Sequence, residues 1–116
     1  MSNDTRVVLH LRIRAAEGKR DELLQFLRSA IPFYEQPGGI HLRVIQCTDD
    51  SDAFIEIVEY ESWDKYQEDH RRVEADPAMH EYLARWRALL AEPAKVEVYN
   101  DISGSVRPRE AVATGR

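Results

Sequence analysis

The sequence has little of what marks several large classes of protein. It contains one cysteine, Cys47, so no disulfide can form within the chain, which is typical of a reducing compartment. No apolar run approaches the roughly 18 residues of a membrane span, and residues 1–5 are too short and polar for a signal peptide. We therefore expect a soluble, cytoplasmic protein that has no membrane partner.

Clustered positive charge is also missing. Sixteen Lys and Arg residues stand against 21 Asp and Glu residues, which gives a net charge of -5. Binding to nucleic acid depends on clustered cations that release counterions from the phosphates. The only grouping lies in the tail, at Arg107, Arg109 and Arg116. Nucleic acid is therefore not an expected partner.

Motifs for metals and common cofactors are absent as well. There is no phosphate-binding glycine loop, nucleophile elbow or dinucleotide fingerprint. The four histidines lack the i, i+4 spacing of helical metal ligands, and the acidic run at residues 49–52 lacks the glycine and terminal glutamate of a calcium loop. From these absences we expect the protein to use neither a metal nor a cofactor.

Hydrophobic periodicity predicts four strands, at residues 6–14, 40–48, 53–61 and 95–99. A first helix follows the first strand, and its apolar stripe runs from Leu23 to Tyr34, with an uncertain last turn at Pro32. Ser62 is placed to cap a second helix, and Asp76 followed by Pro77 starts a third. The order β-α-β-β-α-β, with a split second helical region, predicts an α+β, ferredoxin-like fold.

In that fold, a four-stranded antiparallel sheet carries helices on one face. We expect a single domain over residues 1–102, with residues 103–116 as a flexible tail or dimer arm. The third strand alternates Ile55, Ile57 and Glu59 with Phe54, Glu56, Val58 and Tyr60, so both of its faces are apolar. Because the helices cover one face only, the sequence predicts a homodimer with two sheets packed face to face.

The sheet faces can be assigned provisionally from the first strand. Its apolar alternation, which includes Leu11, is assigned to the helices. In the third strand we assign Ile57 and Glu59 to the same side, and Glu56 to the open side, toward the dimer partner. A buried Glu59 would need a partner, because burying a lone carboxylate is costly.

A candidate site arises where the third strand runs into the second helix. Trp63, Tyr66 and His70 fall on one helical face, above Glu59. His70 is either a general base or hydrogen-bond donor to a phenolate, or a structural histidine. Glu59 either orients His70 or accepts from backbone amides near Ser62.

The same region has enough aromatic residues for a pocket that stacks a planar ligand. The candidate lining residues are Trp63, Tyr66, Phe33, Tyr34, Leu11 and Ile57. Simple core packing is the alternative, because aromatic stripes at helical spacing usually lie in a core.

Three short segments resemble the antibiotic biosynthesis monooxygenase family of dimeric α/β-barrel proteins. Glu17-Gly18-Lys19 is similar to the family's Pro-Gly-Lys turn, and residues 36–40 resemble its step into the second strand. His70 follows Glu59 by eleven residues, the family's usual interval, while Glu61 stands where the family often has tryptophan. The resemblance covers roughly residues 7–102.

This resemblance implies oxidation of an electron-rich aromatic substrate with O2, without metal or flavin. The haem-cleaving branch uses an asparagine on the first strand, which this chain lacks. We therefore expect a cofactor-independent monooxygenase acting on a small aromatic, phenolic or quinol substrate. Two alternatives remain open: a non-catalytic, dimeric barrel that binds small molecules or is associated with stress, and a cofactor-free isomerase or cyclase.

Overall fold

The structure, a computed structural model, describes residues 5–107. Its elements are β1 (Val7–Arg14), α1 (Arg20–Tyr34), β2 (Ile40–Cys47), β3 (Asp50–Tyr60), α2 (Trp63–Ala75), α3 (Pro77–Ala88), β4 (Lys95–Asn100) and α4 (Ser103–Val106). The strands form one antiparallel sheet in the order β2-β3-β1-β4, and α1 to α3 lie over one face. This arrangement confirms the predicted α+β, ferredoxin-like fold.

The helix boundaries follow local chemistry. The Ser62 hydroxyl accepts a hydrogen bond from the Lys65 amide at 3.1 Å, and an Asp76 carboxylate oxygen accepts from the Ala78 amide at 2.9 Å. Each bond satisfies one of the amides that have no partner at a helix start. Both predicted helix starts are confirmed, and α1 continues through Pro32 to Tyr34.

The C-terminal region is described only in part. Residues 103–106 form the short helix α4, and the rest of the predicted tail, residues 108–116, lies outside the described residues. Within residues 5–107, no helix is both long and apolar enough to cross a membrane.

Two buried clusters hold the helices to the sheet. The first joins α1 and α3 to one end of the sheet and includes Ile13, Leu23, Phe26, Leu27, Phe54 and Trp86. The second lies at the other end, beside α2, and consists of Val7, Ile40, Leu42, Val58 and Tyr60. Leu11, Tyr34 and Val44 are only partly buried and pack against both clusters. The space between sheet and helices is therefore less filled in the middle than at its ends.

The pairing of β1 with β3 determines which side chains face the helices. Leu11 pairs with Glu56, and antiparallel partners share a face of the sheet. Glu56 therefore lies under the helices, whereas Ile57 and Glu59 lie on the opposite, open face. The predicted sides of Glu56, Ile57 and Glu59 are therefore wrong. Both alternations of β3 are apolar, so its sequence alone does not indicate which of them shares a face with the apolar side of β1.

The open face combines apolar and charged side chains. Its apolar members are Val8, Ile45, Ile55, Ile57 and Tyr99. Around them, Arg43 Nε lies 3.7 Å from Glu59 Oε1, and Arg12 Nε lies 3.0 Å from Glu97 Oε1. The open face is thus an apolar strip with ion pairs on both sides.

Arg72 of α2 joins this helix to the C-terminal end of α1. Its guanidinium donates hydrogen bonds to the backbone carbonyls of Phe33 and Tyr34 and lies 4.5 Å from the Phe33 ring centroid. Carbonyls in the last turn of a helix have no partner within the helix, although the Phe33 carbonyl also accepts from the Gln36 amide at 3.2 Å. Asp69, 3.4 Å from Arg72, also accepts a hydrogen bond from the Tyr60 hydroxyl at 2.6 Å. One partly buried cation therefore connects α1, α2 and β3.

We expect Arg72→Ala to lower the free energy of unfolding by about 2 to 3 kcal/mol, because it leaves two helix-end carbonyls and Asp69 without their charged donor. Arg72→Lys should recover only part of this loss, since lysine cannot contact both carbonyls in the planar geometry of a guanidinium. Urea unfolding at neutral pH measures the change. Arg71→Ala, at the exposed neighbouring position, is the matched control. Equal losses for the two alanine variants would contradict this role of Arg72.

Candidate functional site

A cavity of about 750 Å³ lies between the sheet and the helices. The sheet contributes Leu9, Leu11, Leu42 and Val58, and the helices contribute Tyr34, Tyr66, Leu83 and Trp86. Val96 and Val98 of β4 extend the apolar surface beyond the helices and remain 55% and 49% exposed. The cavity is therefore open to solvent and is large enough for a ligand of two or three fused rings.

Three of the predicted lining residues come together on its walls. Leu11 rises from β1, Tyr34 ends α1, and Tyr66 lies on the first half of α2. Tyr66 packs edge-on against Tyr60, with ring centroids 5.4 Å apart. These side chains could contact a planar ligand.

His70 also borders the cavity, but it is more exposed than predicted. Its side chain is 60% exposed, and Nε2 lies 3.6 Å from a carboxylate oxygen of Glu74. The expectation that His70 points away from solvent is wrong, because α2 has no fully buried residue and covers the sheet only loosely. His70 therefore lies at the mouth of the cavity.

The other predicted site residues are not brought together with His70. Phe33 stacks on Tyr82 at 4.4 Å, and Trp63 packs against Tyr66 at 5.2 Å. Neither is among the described residues that line the cavity. Ile57 and Glu59 are on the open face, where Glu59 pairs with Arg43. The predicted pairing of Glu59 with His70 is thus not formed.

Glu56 is the buried polar residue of the cavity wall, and not, as its sequence pattern predicts, a residue of the open face. Glu56 is only 2% exposed, and its Oε2 accepts a hydrogen bond from Trp86 Nε1 at 2.7 Å. Trp86 is held in the first buried cluster by its packing. A sequence signal was available: Phe54, Val58 and Tyr60 share the parity of Glu56 and are the bulkiest apolar set in β3.

Burial changes the acid-base properties of two groups in the cavity wall, Glu56 and Tyr34. It raises the pKa of Glu56 from 4.5 to about 7, although the hydrogen bond from Trp86 acts in the opposite direction. The Tyr34 hydroxyl is buried and has no hydrogen-bond partner among residues 5–107. Burial, and next the negative charge of Glu56, raise the pKa of Tyr34. Tyr34 is therefore a neutral donor near a carboxyl group that titrates close to neutrality.

This arrangement suits a mainly apolar ligand with one hydrogen-bonding group. Apolar walls would hold a ring system by contact area, while Glu56 and Tyr34 would select the orientation of a polar substituent. An imidazole at the mouth adds a group that can exchange protons with water.

We expect the unfolding free energy to report the burial of Glu56. Because the folded-state pKa of about 7 exceeds the ordinary 4.5, the folded protein binds more protons than the unfolded chain between these values. Ionising Glu56 costs more free energy in the folded protein than in the unfolded chain. The free energy of unfolding therefore falls as the pH rises from 4.5 through about 7, by at most about 3 kcal/mol. Relative to the wild type, Glu56→Gln should gain stability over the same window.

Urea unfolding at pH 5 and pH 8 tests this difference. Glu68→Gln, which alters an exposed carboxylate on α2, should show the wild-type pH dependence. A stability difference between Glu56→Gln and wild type that stays constant with pH would contradict the buried-acid interpretation.

Comparisons with known proteins agree with this fold. The chain resembles SnoaB, a cofactor-independent oxygenase from Streptomyces nogalater, with 17% identity and a TM-score of 0.67 over 81% of this chain and 90% of that one. It also resembles Rv0793 from Mycobacterium tuberculosis, with 20% identity and a TM-score of 0.65 over 91% and 98%. Protein SO0527 from Shewanella oneidensis has 21% identity and a TM-score of 0.68 over 85% and 93%.

At these identities the structural matches establish the fold alone. A search of curated proteins gave no match. The family profile for antibiotic biosynthesis monooxygenases, however, matches residues 6–85, which is more than half of the chain. The chain therefore belongs to the antibiotic biosynthesis monooxygenase family.

Proposed function

We propose that this protein is a cofactor-independent monooxygenase that oxidises a planar phenolic or quinol substrate with O2. The observation that carries the proposal is the open, mainly apolar cavity, which has an ionisable group in its wall and another at its mouth. Membership of the family and the structural likeness to a cofactor-independent oxygenase support the same chemistry.

The reaction balances without an external reductant. Oxidation of a quinol to a hydroxyquinone, or of a ring CH2 to a carbonyl, removes four electrons from the substrate. O2 accepts all four; one oxygen atom enters the product and the other leaves as water. The protein has to hold the substrate, promote its ionisation and shield the resulting anion from water, because the anion is the form that transfers an electron to O2.

In this proposal, Leu11 and Tyr66 contact the ring system of the substrate. His70 lies at the mouth, where its imidazole exchanges protons with bulk water. Because its side chain is exposed, His70 is better suited to exchanging protons with water than to catalysis inside the cavity.

The open face of the sheet supports a homodimer as the working form. Its strip of Val8, Ile45, Ile55, Ile57 and Tyr99 would be covered by the same strip of a second copy, with the ion pairs of Arg12 and Arg43 at the rim. Ile45 and Tyr99 are each 43% exposed in the single chain, whereas Ile57, at 6%, is already covered by its neighbours.

Oxygen uptake with a panel of quinols and anthrones tests the activity. Wild type should consume O2 in proportion to the product formed, without added metal or flavin. Leu11→Trp should abolish turnover by filling the cavity, and His70→Ala should lower it by about tenfold or more. His80→Ala, at an exposed position on α3, is the matched histidine control and should retain activity. Binding of these compounds without O2 uptake would support a non-catalytic binding protein instead.

Light scattering tests the dimer separately. At micromolar concentration we expect twice the chain mass of 13.5 kDa. Ile55→Asp, in the middle of the open face, should give monomers, whereas Leu24→Asp on the solvent side of α1 should not. A monomeric wild type would exclude the face-to-face pairing of sheets.

A further inference from the structure

The substrate anion needed by the proposed function has to lose its proton to a particular group. Glu56 is the one acidic side chain that is fully buried in the described core, and it borders the cavity. Its Oε2 accepts from Trp86, while Oε1 has no hydrogen-bond partner among residues 5–107. Nor does Glu56 form an ion pair with any described cation. One carboxylate oxygen is therefore free to bind a ligand.

This burial is costly for the fold. A carboxylate without a neighbouring cation is among the least favourable groups in a protein interior. A glutamine of the same shape could keep the hydrogen bond to Trp86 without that cost. Buried ionisable groups beside a cavity are frequent at functional sites.

Among the described residues around the cavity, Glu56 is the one fully buried carboxylate. Tyr34 of α1 offers a neutral hydroxyl, which can donate a hydrogen bond. The remaining charged or titratable side chains on the cavity wall are Asp69 and His70 of α2, Arg87 of α3, Glu92, and the hydroxyls of Tyr60 and Tyr66. Asp69 is already bound to Tyr60 and Arg72. Loss of hydration on burial raises the pKa of Glu56, and the hydrogen bond from Trp86 lowers it.

We propose that Glu56 is the catalytic base, whose free carboxylate oxygen accepts the proton from a hydroxyl group, or an acidic ring C–H, of the bound substrate. The choice of substrate rests on the function proposed above. In this step the substrate O–H or C–H bond breaks and its electron pair stays on the substrate, while a new O–H bond forms on Glu56 Oε1. Trp86 remains hydrogen-bonded to Oε2. The neutral Tyr34 hydroxyl is the group that can donate a hydrogen bond to the new substrate anion. No oxidant takes part in this step.

The basicity of Glu56 suits a phenolic proton. An exposed glutamate is a weaker base than a phenolate by about six pKa units, so proton transfer to it would be unfavourable by about 10⁶-fold. For a substrate hydroxyl that keeps its ordinary pKa, which a hydrogen bond from a donor such as Tyr34 favours, burial raises the pKa of Glu56 to about 7 and reduces that gap to about 10³-fold. The apolar walls thus make the acid a useful base as well as shielding the anion.

Turnover provides the first test. Glu56→Gln should lower kcat by at least about 100-fold, because the amide cannot accept a proton. Glu68→Gln, which changes an exposed carboxylate, should retain wild-type turnover. Wild-type activity should rise with pH through about 7, as Glu56 ionises. Trp86→Phe should move this rise to higher pH, because it removes the hydrogen bond that favours the ionised form.

Binding of a phenol without O2 provides the second test. Pentafluorophenol, which is ionised at neutral pH, mimics the substrate anion. Its phenolate should bind only beside protonated Glu56, so above pH 7 binding should take up one proton and weaken about tenfold per pH unit. Calorimetry in two buffers of different ionisation enthalpy measures the uptake. Glu56→Gln should bind the phenolate with no proton uptake and with little dependence on pH.

The outcomes separate this inference from the proposed function. Wild-type turnover that survives Glu56→Gln with an unchanged pH profile would overturn the role of Glu56 and leave the oxygenase standing. Glu56-dependent proton uptake without O2 consumption on any substrate would support the proton-accepting site and overturn the oxygenase. Phenolate binding to wild type without proton uptake, or no phenol binding at all, would overturn the inference. Urea unfolding of Glu56→Gln verifies that the variant is folded.

Discussion

Leu11 of β1 lies opposite Glu56 of β3, and this pairing fixes the character of both faces of the sheet. A shift of one residue would turn every side chain of β3 to the other face. Glu59 and Ile57 would then lie under the helices, and Glu56 would be exposed on the open face. The acid in the cavity, the apolar strip outside and the ion pair of Glu59 with Arg43 all depend on this register.

β3 therefore contributes side chains both to the cavity and to the open face of the sheet. Toward the helices, β3 presents Glu56 between Phe54 and Val58, so the acid is enclosed by apolar neighbours within its own strand. Toward the open face it presents Ile55 and Ile57, the centre of the proposed dimer contact. Because β3 is an inner strand, paired on both sides, its backbone is held by β1 and β2. The position of Glu56 is consequently set by the sheet and not by a loop.

Local signals in the sequence predicted the local parts of the structure. Ser62 and Asp76 each bind an amide two or three residues further on, so each helix start is encoded within one turn. The element order and the helix-facing side of β1 were predictable because only one alternation of that strand is strongly apolar. The facing side of β3 was predicted wrongly, because the strand that determines it pairs from more than 40 residues away in the chain, and the local indication was only the greater bulk of Phe54, Val58 and Tyr60 over Ile55 and Ile57. The exposure of His70 was also missed, since helical spacing defines a stripe but not how much of it is covered.

The hydrogen bond from Trp86 to Glu56 joins the stability of the core to the chemistry of the cavity. Trp86 is 8% exposed and packs within the first buried cluster, so its indole N–H has a fixed direction. A cation in place of this N–H would stabilise the carboxylate more strongly and leave it a weak base. With no donor at all, the carboxyl would stay protonated to higher pH and could not accept a proton near neutrality. A single neutral donor gives a result between these two extremes. The hydrogen bond from Trp86 lowers the cost of burying the Glu56 carboxylate, yet leaves its pKa high enough for it to accept a proton near neutrality.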